Sequence, residues 1–159
     1  MLEVYTAQVY QELERDRLAA DYFRDVLKRN PVYEMAFNAK IRLATSVDID
    51  SEQSAEVVEE LQTMLKDSKN EEFQDQIYYA LAEIARKKGN DTLAISRYRK
   101  SVAHSIENQY QRAQSSLKVA DIFFEKKNYP MAKSYYDTAL RVLPADYPNL
   151  MQLQRKSYT

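Results

Sequence analysis

The 159-residue chain contains no cysteine and no tryptophan, one glycine, one histidine and four prolines. Without cysteine there is no disulfide, no thiolate nucleophile and no cysteine–metal site. Gly89 is the only glycine. That excludes phosphate-cradling loops, which need several glycines to bring backbone N–H groups onto an anion. No apolar run reaches transmembrane length, and the first residues lack the charged-then-apolar pattern of a signal peptide. A formal net charge of −1 gives no electrostatic case for nucleic acid or an anionic membrane. The basic run Arg86-Lys87-Lys88 falls at an expected helix end, where cations complement the helix dipole.

What is present is a chain that is 45% hydrophobic and 30% charged, with both signs mixed throughout, the composition of a folded domain. Apolar residues recur at three- and four-residue steps, so helix is expected nearly everywhere. Glycine, proline and asparagine sit at the breaks. Four helical hairpins follow, with units at about 2–31, 32–68, 72–106 and 109–144. Residues 148–159 read as the start of a further helix, as in a piece cut from a longer protein. The expected helix pairs are Leu2–Glu14 with Arg17–Arg29, Val32–Thr45 with Glu52–Lys66, Glu72–Lys88 with Thr92–Ser105, and Gln109–Lys127 with Pro130–Leu143.

The second helices of these pairs share three columns. Ala19, Val57, Ala94 and Ala132 lie 38, 37 and 38 residues apart. Phe23, Leu61, Tyr98 and Tyr136 keep that spacing, as do Leu27, Leu65, Val102 and Leu140. Ala82 of the third unit recurs as Ala120 of the fourth. A long period of this kind points to a helical-repeat array, whereas an ordinary bundle needs only the short helical period.

These residues resemble the tetratricopeptide repeat, with a small residue where helices cross, aromatics in the packing columns and proline closing a unit. The fourth unit carries the resemblance at Ala120, Phe123, Tyr129, Ala132, Tyr136, Ala139, Leu140 and Pro144, and the third at Tyr78, Leu81, Ala82, Gly89, Ala94, Tyr98 and Val102. The third departs from it at Ala85, Asp91 and Ser101, and the second unit is degenerate. The period also exceeds the family's usual ~34 residues, which implies longer links between units. The resemblance implies an all-α, right-handed superhelix of about four antiparallel hairpins plus a truncated C-terminal helix. The runs ALAEIARKKGNDTLAISRYRKSV from Ala80 and VADIFFEKKNYPMAKSYYDTALRVLP from Val119 further resemble the large tetratricopeptide lipoproteins of Bacteroidetes, the PorW/SprE type of type IX secretion and gliding motility. That resemblance implies a periplasmic, outer-membrane-associated assembly component.

In such an array the first helix of each unit lines the concave face. By that resemblance the partner-binding residues are Gln76, Tyr79, Glu83 and Arg86 of the third unit, Gln114, Leu117, Asp121 and Phe124 of the fourth, and Tyr33, Ala36 and Lys40 of the second. Chaperone-binding members resemble one another in a basic clamp for a terminal carboxylate. Here Glu83 and Asp121 stand in the groove and disfavour that role. A peptide or a helix of another protein suits the mixed aromatic and polar face.

No residue set reads as catalytic, and neither a metal nor a cofactor is expected. A lone histidine lacks the converging partners that a site needs. Asp48-Ile49-Asp50-Ser51-Glu52 lacks the glycine and the spaced final glutamate of a calcium loop and reads as a capping loop. Asn90-Asp91-Thr92 fits a glycosylation acceptor but is fully explained as a turn. The leading expectation is a non-catalytic scaffold for protein–protein contacts within a larger envelope or secretion-associated protein. The alternative is a regulatory or small-ligand-binding helical domain of a larger protein.

Overall fold

With so little glycine and proline to interrupt it, the chain runs as helix after helix. The structure, a computed structural model, describes residues 33–46, 52–143 and 150–158, and for residues 33–37 and 44 the backbone alone. The first expected hairpin, the capping loop at 48–51 and Pro144 lie outside the described residues. Among those described there are seven α-helices, one 3-10 helix and no strand.

The chain divides into two compact units between residues 70 and 71. In the first, helix α1 (Tyr33–Ser46) packs on α2 (Glu52–Lys66). Ala39 and Leu43 are the buried apolar side chains of α1, and Val57, Leu61 and Met64 those of α2, at helical spacing on one stripe. After α2 the chain tightens into a 3-10 helix, Ser68–Phe73. The Asn70 side-chain amide donates to the Met64 carbonyl at 3.1 Å and so satisfies one orphan acceptor of the helix end.

The second unit holds α3 (Gln74–Lys87), α4 (Asp91–His104), α5 (Gln109–Glu125), α6 (Tyr129–Leu140) and α7 (Leu150–Tyr158). Each helix packs on the next, and α3 also touches α5. Ala82, Ala94 and Tyr98 are fully buried together with Ala85, Val119 and Ile122. Ala120, Ala132 and Tyr136 form the equivalent cluster in the following hairpin. Methyl-sized side chains at 82 and 120 let the paired helices approach closely. Each buried tyrosine contributes roughly 1.5–3 kcal/mol from its apolar area.

The turns of these two hairpins are built alike. Gly89 has φ +77° and Lys127 has φ +60°. Gly89 N–H donates to Arg86 O and Asn90 N–H to Ala85 O, while Lys127 N–H donates to Phe124 O and Asn128 N–H to Phe123 O. This paired bonding, from the left-handed residue and the one after it, satisfies carbonyls that a helix end leaves free. Asn90, Asn108 and Asn128 then cap α4, α5 and α6, their side chains accepting from the N–H groups of Leu93, Gln111 and Met131.

Helix α2 spans the residues expected of it. Helix α5 stops at Glu125 and not Lys127, because the turn takes the last two residues. Helix α6 ends at Leu140 and not Leu143, since the N–H groups of Val142 and Leu143 both converge on the Ala139 carbonyl.

Candidate interaction face

On α3, Glu83 is half-buried and accepts a hydrogen bond from the Tyr98 hydroxyl on α4. Lys118 on α5 lies 3.6 Å from the same Glu83 oxygen. On α5, Asp121 accepts from the Tyr136 hydroxyl on α6 at 2.5 Å, and Lys156 on α7 lies 3.8 Å away. Glu83, Tyr98 and Lys118 become Asp121, Tyr136 and Lys156 on adding 38 to each number. A carboxylate on a first helix is therefore oriented by the tyrosine of its own second helix and met by a lysine from the first helix that follows. Burial first, then the neighbouring carboxylate, pushes both phenols well above the ordinary tyrosine range, so they stay protonated and act as donors.

The other residues expected on this face are half-buried, with partners inside the chain. Tyr79 meets Tyr98 edge-on at 5.6 Å between ring centroids. Arg86 pairs with Glu125 at 3.0 Å, joining the ends of α3 and α5. Leu117 and Phe124 pack against the Ala120–Ala132–Tyr136 cluster, so part of each serves the core. The Gln114 amide donates to the Tyr110 hydroxyl at 2.9 Å, and the Gln76 N–H to Asp75 Oδ1 at 2.9 Å. In the first unit Lys40 pairs with Glu60 at 3.3 Å. The Tyr33 and Ala36 side chains lie outside the described residues. Lys118 and Lys156 were not among the expected residues. Comparing polar columns at the 38-residue offset, and not only apolar ones, would have found them.

A buried polar cluster joins α3, α4 and α5. The Ser101 hydroxyl donates to the Asp75 carbonyl oxygen at 2.8 Å, and its oxygen lies 2.6 Å from Ser115 Oγ. The Gln111 amide donates to Ser115 at 3.0 Å, and the Ser105 hydroxyl to the Ser101 carbonyl at 2.6 Å. Burial raises the Asp75 carboxyl pKa, against the Gln76 N–H that donates to it and the polar Ser105 and Asn108 side chains beside it. His104 lies apart, exposed, its Nδ1–H donating to the Lys100 carbonyl at 2.7 Å. On α6, hydrogen bonds from Lys133 and Ser157 hold the Asp137 carboxyl below the usual range. Among the described residues no group of three or more acidic or histidine side chains could hold a metal ion, and no helix is long and apolar enough to cross a membrane.

The comparisons add no relatives to this geometry: no family model and no curated protein matches the chain. The class shown is all-α: among the described residues, the helices within each unit pack on their sequence neighbours.

Proposed function

We propose that this chain is a non-catalytic scaffold for protein–protein contacts, that its hairpins stack as a tetratricopeptide-like superhelix, and that the face formed by α3 and α5 receives a peptide or helix of another protein. The observation that carries the reading is the recurrence of whole arrangements at 38 residues: the turn at Gly89 and Lys127, the caps at Asn90 and Asn128, and the tyrosine-held carboxylates at Glu83 and Asp121. Stacked units of one build bury their apolar sides against each other and leave a continuous surface along one side. The aromatic and ion-paired side chains on that surface suit a partner of mixed character. An envelope or secretion-associated setting belongs to the same proposal and rests on the sequence resemblance alone.

A photo-crosslinking residue placed at Gln76 or Gln114 tests the face against Ser96 or Ser134, which are exposed on α4 and α6. Capture of the same polypeptides from the first-helix positions and not from the second-helix positions is the expected result. Equal capture from both sets removes the face assignment.

A further inference from the structure

Lys156 does more than pair with Asp121. Its ammonium also lies 5.3 Å from the centroid of the Phe124 ring and 5.9 Å from that of Tyr136. One carboxylate and two aromatic rings thus surround a single cation, a combination that holds ammonium and guanidinium groups. Three residues before it, Leu153 packs on the Ala120–Ala132–Tyr136 cluster. The box itself belongs to α5 and α6, while its occupant arrives from α7.

Helix α7 is lightly held. Of its nine described residues only Ser157 is buried. Met151 and Tyr158 are 69% and 85% exposed. Among the described residues the α7 backbone approaches α6, and side chains alone reach α5. An element with little buried apolar surface opens at low free-energy cost. Ser157 donates to Asp137 on α6, whereas the ion pair to α5 is partly exposed and long, the weak kind.

We propose that the Asp121–Phe124–Tyr136 box is a recognition site for a lysine or arginine side chain on a partner helix, and that Lys156 is its intramolecular placeholder. The partner helix carries an apolar residue and, three positions later, the cation, as Leu153 and Lys156 do. Its positive charge complements Asp121, whose oxygen is fixed by the Tyr136 hydroxyl before any partner arrives. This rests on the reading that partners sit on the first-helix face and names the chemistry they bring to it.

The test uses the full chain and a fluorescein-labelled peptide copying residues 150–158. Lys156→Ala in the chain vacates the box, and the peptide is expected to bind about fivefold to tenfold tighter than to the wild type. That gain disappears when the peptide's own lysine becomes alanine, or when Asp121→Asn is added to the chain. Amide exchange in α7 of the wild-type chain rises as the peptide is added. Thermal melts establish that each variant is folded, and Lys156→Gln replaces Lys156→Ala should the latter unfold. No gain in a folded Lys156 variant overturns the proposal, as does a gain that survives loss of the peptide's lysine. If the first-helix crosslinks form while no gain is seen, the face reading stands and the box reading alone falls.

Discussion

The third and fourth hairpins share their turns, their asparagine caps and their tyrosine–carboxylate bonds, yet the layers beneath them differ in kind. Where the third has Asp75 and Ser101, with Ser115 from the next helix, the fourth has Ala113, Ala139 and Leu153, each 38 residues on. The first set is buried and hydrogen-bonded within itself. In the second set Ala113 and Ala139 are buried alanines, and Leu153 packs on their neighbours. One backbone frame therefore accepts either a polar or an apolar layer. The polar layer is tolerated because its groups supply each other's partners, and a half-supplied one would be worse than none.

Transplanting one element of the polar layer is the strongest way to break the comparison. Ala113→Asp places a carboxylate at a fully buried position that a methyl group now fills. A loss of about 3–5 kcal/mol in urea unfolding is expected, as for a buried charge without its partner. A loss below 1 kcal/mol would mean that the two layers are interchangeable side chain by side chain.

The shared crossing points come next. Ala82→Leu and Ala120→Leu each overpack a fully buried contact, and each is expected to cost about 1–3 kcal/mol. The two variants should lower Tm by similar amounts. An unchanged Tm for Ala120→Leu would deny it the role of Ala82.

The two turns should respond in opposite directions. Lys127 holds a positive φ that a side chain disfavours, so Lys127→Gly is expected to stabilise by a few tenths to about 1 kcal/mol. Gly89→Ala puts a side chain into the same conformation and should destabilise by about 1 kcal/mol, although nothing lies within 4 Å of the added Cβ. The same sign for both would show that the turns only look alike.

The last prediction is read as a slope. Burial raises the Asp75 carboxyl above the ordinary aspartate value of 3.8. The folded state thus holds the proton more tightly than the unfolded chain. The associated stability is fully present below pH 3.8 and is lost as pH rises through the folded value. Wild type measured against Asp75→Asn should lose ground across that interval. A flat difference, or one of opposite sign, would remove Asp75 as its source.

Much of the frame was readable beforehand because it follows from patterns that sequence carries. The columns at Val57, Leu61, Tyr98 and Tyr136 are buried as their spacing implied. Gly89 marked its turn because glycine takes positive φ without cost. Lys127 could not be read that way, since lysine has no such preference and takes the conformation from the bonds around it. The face was harder. Tyr79, Leu117 and Phe124 are half-buried on the first helices, and since each residue turns the helix by 100°, the solvent side and the seam with a neighbour differ by one step. Leu117 and Phe124 sit on that seam. The role of Lys156 depends on a ring, a carboxylate and a second helix meeting in space, which no local pattern encodes.

The hairpin turns carry one more implication. Lys87, Lys88, Lys126 and Lys127 stand exposed at the two tips and offer trypsin four sites within easy reach. A protease must draw several residues into an extended strand before it cuts, and here the peptide groups on either side are tied into helix ends and capped by asparagine. Trypsin should pass these tips by until the helices themselves unwind, so that the rate of cutting at these four bonds reports the opening of the two hairpins and not the exposure of their lysines.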